Sequence, residues 1–381
     1  MSVERRPRVA YVITESEIGG AQTHVRDLYA GICDRLDAVL LAGGEGPLFG
    51  QMAAQGAATC RIDALNNSLS PIHLLRTVRR VSTVLGANRP DLIHAHSAKG
   101  GAVARLVGAR LKIPVIYTVH GFGFKAAAPW PQRWAARLAE FILAPLTTQM
   151  ICVSEAEARM ASALPIRQTR VHVIRNGICD IGPRGNAGST LTRVIMTARL
   201  AAPKRPDVLI RAAASGALPS HASVVLVGDG PLRASLEVLA AECTVPVIFT
   251  GNIQNVHEVL ATAQLFVLLS DHEGLPISIL EAMRAGLPIL ASDLPGIREL
   301  IVHGESGWLV NHHDTIAVQD ALHILCTHAE LRQSLGAAAR RRYETLFNAS
   351  DMVERTYSLY QQVLQDSQHQ RRSQLPVRRL P

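Results

Sequence analysis

DLIHAHSAKGGAVARLVGARLKIPVIYTVH, residues 91–120, sets the architecture. DLIHAHS (91–97) and PVIYTVH (114–120) are short runs rich in apolar residues, and Gly100 to Arg110 between them is a stretch of small residues at helical spacing. Two short strands joined by a helix belong to a parallel sheet, because parallel neighbours need a crossover and a helix supplies it. Upstream the same alternation runs through RVAYVI from Arg8, a helical stripe of Val25, Leu28, Tyr29 and Ile32, and AVLLA. Downstream it continues through MICVSEAEARM (150–160) and VHVIRN. About seven strands are expected in this half.

GICDIGPRGNAGST (177–190) is dense in Gly, Pro, Ser and Asn and lacks periodicity, as a linker does. The alternation then restarts with VIMTA (194–198), SVVLVG (223–228), PVIFTG (246–251), QLFVLLS (264–270) and LPILAS (287–292). A chain of 381 residues exceeds the size at which one core keeps growing. The expected fold class is therefore α/β: two doubly wound, Rossmann-like domains, residues 1–182 and 190–346. Met352, Val353, Tyr357 and Tyr360 at helical spacing predict a last helix over 347–365, and the basic, polar stretch 366–381 reads as a disordered tail.

Composition narrows the function classes. Hydrophobic residues make up 48% of the chain and aromatics only 4%, a mix suited to parallel strands covered by helices. The cysteines at 33, 60, 152, 179, 243 and 326 have no C-x-x-C spacing and read as buried hydrophobes, which suits a reducing cytoplasm. No N-terminal stretch resembles a signal peptide, and no run reaches the roughly 18 apolar residues of a membrane span. A net charge of +8 points to an anionic substrate or membrane face; no nucleic-acid-binding motif accompanies it, so no nucleic-acid partner is expected.

Open α/β sheets bind ligands beyond the carboxyl ends of their strands, so chemistry is sought there. In SDHEGLPISILEAMRAG (270–286), Gly274 follows a strand, Pro276 is expected at the first helical position, and Gly286 supplies the stop. The unpaired N–H groups around Gly274 and Leu275, backed by the helix dipole, make an anion site that suits a diphosphate. Glu273 and Glu281 can present two carboxylates along it, or be a cap residue and an ordinary helix glutamate. Arg199 and Lys204, in ARLAAPKRP, are expected to converge on one anionic group and to stabilise charge growing on a leaving diphosphate.

Gly19 and Gly20 open the first helix, where backbone can approach a ligand. In GDGP (228–231), Asp229 is a possible cap and Pro231 a helix start, a turn more structural than catalytic. His120 ends a strand before Gly121, Phe122, Gly123 and Phe124, placed to hydrogen-bond a sugar hydroxyl or trade a proton. His94 and His96 lie on one strand face, where packed neutral histidines are common. Ser154 and Glu157 form a capping box.

These motifs, in this order, resemble glycosyltransferase family 4, a retaining family of the GT-B type whose two domains face a central cleft. EGLPISILE, from Glu273 to Glu281, carries the resemblance, together with Arg199 and Lys204 at the family spacing, and the match covers nearly the whole chain. The resemblance implies that Glu273 contacts the donor sugar, Glu281 holds the ribose hydroxyls, and Arg199 and Lys204 hold the diphosphate. It further implies Gly19 and Gly20 near the phosphates, His120 beside the reacting sugar, and Ile253 near the base. The N-terminal domain would bind the acceptor, the C-terminal domain the nucleotide sugar, and the last helix would cross back to the first domain.

The stretch HSAKGGAVARLVGARLKIPVIYTVHGFGF looks like the bacterial branch that builds capsule, exopolysaccharide and O-antigen repeat units on polyprenyl diphosphate. The expected activity is metal-independent, retaining transfer of a hexose or N-acetylhexosamine from a nucleotide diphosphate, UDP in preference to GDP, to a polyprenyl-diphosphate-linked sugar or other glycan. No cofactor is expected, and no D-x-D motif is present to hold a metal on the diphosphate. Arg76, Arg79 and Arg80, and Trp130, Trp134, Leu138 and Phe141 flanked by Arg133 and Arg137, fit a peripheral site on the cytoplasmic face of the inner membrane; packing against the sheet is the alternative. A sugar-nucleotide 2-epimerase and a non-enzymatic sugar-binding module remain as rivals. A nicotinamide dehydrogenase does not, since ITESEIGGAQ is no G-x-G-x-x-G turn.

Overall fold

The computed structural model describes residues 5–66, 70–125 and 129–373. Two compact units account for it: residues 1–175 with 349–381, and residues 176–348.

The N-terminal unit is built on a seven-stranded parallel sheet. Its strands are β1 (Arg8–Glu15), β2 (Asp37–Gly43), β3 (Ala58–Arg61), β4 (Leu92–His96), β5 (Val115–Val119), β6 (Gln149–Cys152) and β7 (Val171–Val173), in the order β3-β2-β1-β4-β5-β6-β7. Helices cover both faces, so the central strands are buried throughout; β4 and β5 have no exposed residue. The helix Ala98–Leu111 lies close on the sheet because its residues are small: a Cβ on Gly101 would fall 2.4 Å from the Tyr117 ring. Arg105 of that helix is fully buried, 4.4 Å over the Tyr117 ring, and forks onto Glu140 of the helix Trp130–Leu143 with bonds of 2.7 and 3.0 Å. Two charges out of water are tolerated only in such a paired, hydrogen-bonded geometry.

The C-terminal unit carries a second parallel sheet: β8 (Arg193–Thr197), β9 (Ser223–Val227), β10 (Val247–Gly251), β11 (Leu265–Leu268), β12 (Ile289–Ser292) and β13 (Trp308–Val310), ordered β10-β9-β8-β11-β12-β13. β13 was not anticipated. A three-residue strand carries too little alternation to read, and it forms only because β12 offers a free edge.

Several boundaries move. The division falls at Arg175/Asn176, and residues expected in a free linker are packed on the C-terminal unit instead. The fully buried Arg332 donates to the Ala187 and Ser189 carbonyls, Arg340 pairs with Asp180, and Gly185 N–H donates to Ala285 O. The last helix runs Ala349–Ser373 rather than 347–365, so residues 366–373 are helical where a disordered tail was expected; 374–381, the rest of that tail, lie outside the described residues, as does Ala128. Met352, Val353, Tyr360 and Val363 of this helix join the core of the N-terminal unit, which is why it belongs there although it follows the C-terminal unit in sequence.

All six cysteines are free, but only Cys152 and Cys326 are buried, each thiol pushed up to about 12 by burial; Cys179 is exposed, against the expectation of a buried hydrophobe. No helix among the described residues is long and apolar enough to cross a membrane.

Candidate active site

Each sheet has one point where the strand order reverses, between β1 and β4 in the first and between β8 and β11 in the second. Crossovers leave such a point in opposite directions, so the strand ends there open a crevice. Most of the residues singled out from the sequence collect at these two places.

In the C-terminal unit the loops after β8 and β11 are stitched together. Asp271 N–H donates to Pro203 O at 2.9 Å, Arg205 N–H to Leu269 O at 2.9 Å, and Ser270 Oγ to Pro203 O at 3.1 Å. This stitching brings Lys204 onto Glu273, which form an ion pair with 19% and 9% of their side chains exposed. Arg199 stands exposed at the head of the same loop and makes no ion pair among the described residues. One of the two cations, Lys204, is held by a carboxylate and the other, Arg199, stands open at the same strand end.

Behind them the helix Ile277–Arg284 begins one residue later than expected. Pro276 is its N-cap, in extended geometry (φ −68°, ψ 122°), so the unpaired amides of the first turn start at Ile277. Gly274, Leu275 and Pro276 are buried, and Asn176 Nδ2 donates to Leu275 O at 2.9 Å, holding the turn from below. Glu281 is half-buried in the second turn, and Gly286, at φ +73°, follows the helix as the expected stop. Ile253, half-buried, follows β10, two strand spacings or about 10 Å from β8.

Asp271, Arg205 and His312 escaped the sequence reading. Asp271 Oδ1 hydrogen-bonds with His312 Nε2 at 2.8 Å and lies 3.4 Å from Arg205, whose own bond to Asp207, followed by both carboxylates' charges, raises its pKa further. His312 follows the overlooked β13, which is why it was missed. GDGP also differs from expectation: Asp229 caps no helix, since the helix starts at Arg233, and it binds Gly230 N–H at 2.7 Å and Arg233 at 3.2 Å. Its glycines are structural, for a Cβ on Gly228 would sit 2.0 Å from Ala198 O.

In the N-terminal unit Gly19 caps the helix Gly20–Ala30 beyond β1. Its φ of 179° is ordinary extended backbone and a Cβ would meet only the movable Gln22 amide, so packing within the unit does not require glycine there. His120 follows β5, half-buried, with Nε2 3.2 Å from His96 Nδ1. His24, on the first helix, packs edge-on against His120 with centroids 4.8 Å apart. His94 is held by Tyr360 Oη of the last helix and by Thr118 Oγ1 at 2.7 Å. Burial is the main reason that His94, His96 and His120 all have pKa values well below the ordinary 6.5, with repulsion from neighbouring imidazoles adding to it. They are neutral at pH 7 and act as hydrogen-bonding groups.

Tyr360 was legible only as a member of the last helix's stripe, and His24, beside Val25 on the first helix, carried no signal of its own. Glu157 does more than complete the cap: its N–H donates to Ser154 Oγ, and its carboxylate accepts from Phe122 N–H at 3.0 Å and lies 3.4 Å from Lys125, anchoring the loop after His120.

Known proteins resemble this chain over both units. The family described as Glycosyl transferase 4-like domain matches residues 19–177, and Glycosyl transferases group 1 matches residues 184–342. The O-antigen biosynthesis glycosyltransferase WbnH of Escherichia coli is 31% identical over 297 residues, 77% of this chain and 83% of that protein. The Escherichia coli UDP-Gal:alpha-D-GlcNAc-diphosphoundecaprenol alpha-1,3-galactosyltransferase is 25% identical over 319 residues, 78% of this chain and 82% of that protein. Among solved structures, Anabaena HepE in complex with UDP and glucose superposes with a TM-score of 0.81 at 19% identity, covering 93% of this chain and 100% of that one. The chain therefore belongs to glycosyltransferase family 4, in the bacterial polysaccharide and O-antigen branch, and is a glycosyltransferase of the GT-B type.

Proposed function

We propose that the enzyme transfers a hexose or N-acetylhexosamine from UDP to a polyprenyl-diphosphate-linked sugar, with retention of anomeric configuration and without a metal. The observation that carries this reading is the grouping of Lys204, Glu273 and the open Arg199 at the β8–β11 reversal, in front of the helix Ile277–Arg284. A donor diphosphate seated there meets Arg199, the turn of Gly274, Leu275 and Pro276 and the first-turn amides from Ile277 on, and draws Lys204 off Glu273. The freed Glu273 carboxylate then takes sugar hydroxyls, while Glu281 takes the ribose and the loop at Ile253 the base. The N-terminal unit contributes the acceptor site, His120 beside the reacting sugar, and Gly19 and Gly20 near the donor phosphates. UDP and the lipid-linked acceptor are favoured by the galactosyltransferase relative, whose name carries both.

Transfer proceeds by attack of the acceptor hydroxyl on the face that the diphosphate leaves. The oxygen–C1 bond forms as the C1–phosphate oxygen bond breaks, and the acceptor proton passes to the departing phosphate oxygen. Negative charge grows on the diphosphate, where the fixed cations and helix amides stabilise it more than in the ground state.

Access to a lipid-linked acceptor is supported by an apolar face on the N-terminal unit. Trp130, Trp134, Leu138, Phe141 and Ile142 of one helix are 54–69% exposed rather than packed on the sheet, with Arg137 beside them, and Ile72, Leu75, Arg76, Arg79 and Arg80 are exposed on the helix Pro71–Asn88. Apolar and cationic groups on one unit suit an anionic bilayer surface.

The test is a screen of UDP- and GDP-sugars with a polyprenyl diphosphate sugar, reading nucleotide release and the anomeric coupling of the product. Acceptor-dependent UDP release, a retained anomer, and loss of turnover in both Lys204→Ala and Glu281→Ala are expected. An inverted product, or turnover with GDP-sugars alone, would overturn the corresponding part. Co-sedimentation with anionic but not neutral vesicles at low salt checks the membrane surface; equal indifference to both removes it.

A further inference from the structure

The proposed transfer employs His120 alone among the histidines at the β1–β4 reversal, leaving His24 and His96 without a task. One coordinating nitrogen from each of His24, His96 and His120 lies within 4.8 Å of the other two. His96 Nδ1 and His120 Nε2 are already 3.2 Å apart. Two imidazole nitrogens bound tetrahedrally to one zinc ion at about 2.0–2.1 Å are separated by about 3.3 Å. The His24 ring is near both, at 4.8 Å from His120 and 5.4 Å from His96 between centroids, so a modest ring rotation completes the set.

His96 is fully buried, and its Nε2 has no hydrogen-bond partner among the described residues.

We propose that His24, His96 and His120 form a binding site for Zn2+ or a similar borderline divalent ion, which inhibits the enzyme by engaging His120. Three imidazoles with a fourth position open on the half-exposed side of His120 are a known zinc arrangement, completed by water or an oxygen ligand. The ion takes no part in transfer. Binding stands independently of the reaction; only the inhibition rests on the role proposed for His120. A second group among the described residues, Asp271, His312 and His313, is less suited, because a cation there competes with Arg205 for Asp271.

The full chain is titrated with Co2+ and then Zn2+ at pH 7.5. One equivalent of Co2+ should give the visible absorption of a four-coordinate site, bleached by Zn2+, and in the wild type the Cε1–H NMR signals of three of the 15 histidines should move. His24→Gln and His120→Gln should each weaken binding by at least about tenfold, as loss of even an outer-sphere partner does, and His313→Ala should not. The absence of stoichiometric binding by the wild type, or binding that survives both glutamine variants and disappears in His313→Ala, overturns the site. Zn2+ that binds without slowing turnover overturns the inhibition and, separately, the place of His120 beside the sugar.

Discussion

The two sheets reverse their strand order in the same way and open the same kind of crevice, yet they fill it with opposite chemistry. At the β1–β4 reversal stand His24, His94, His96 and His120, with Tyr360 and Tyr11 behind them; the three on or after the strands are held neutral by burial. At the β8–β11 reversal stand Lys204 with Glu273, Arg205 with Asp271 and His312, and the open Arg199. Burial accounts for the contrast. β4 lies under helices on both faces, so a charge there would lose its hydration without repayment, and imidazole is the polar group that can shed its charge. The loops after β8 and β11 keep partial access to water, so ions persist in pairs. One end suits uncharged hydroxyl groups, the other an anion.

The sharpest way to break this contrast is to remove charge at the second reversal. Lys204→Ala should lower kcat/KM by about 10²–10³, the loss typical of one preorganised electrostatic partner. A change under tenfold in steady-state turnover would mean that the pair with Glu273 is structural. Next in size is acid sensitivity. His94 and His96 have folded pKa values below those of the unfolded chain, so their contribution is complete above about pH 6.5 and is lost as pH falls from there toward the folded values. Acidification from pH 7.5 to 5.5 should therefore destabilise the N-terminal unit more than the C-terminal one. Native-state hydrogen exchange on β4 and β5 reads this, with β8 and β11 as the internal reference; equal loss in both sheets would mean that the histidines are not its source.

A smaller effect is expected from Tyr360→Phe, which leaves buried His94 Nδ1 without its partner. It should destabilise the N-terminal unit by about 1–2 kcal/mol, read as faster exchange in β4, while donor affinity stays as in the wild type.

Much of this was open to reading in the linear chain. The alternation over residues 91–120 carried the parallel sheet because strand and helix periods are local properties, and EGLPISILE carried the anion-binding helix start because glycine and proline act on their own backbone. That Pro276 is a cap rather than the first helical residue lies within the ordinary blur of element ends, whereas the helix through residues 366–373 outruns it, because a polar, basic composition was read as a tail. What the linear chain did not hold was pairing at a distance. Lys204 meets Glu273 across 69 residues, His94 meets Tyr360 across 266, and Asp271 meets His312 through a strand too short to announce itself. Periodicity and turn chemistry are written in neighbouring residues and so determine the elements. Which side chains share a strand-end crevice, and which of them keep a charge there, depends on strand order and depth of burial, and these exist only once the sheets have formed.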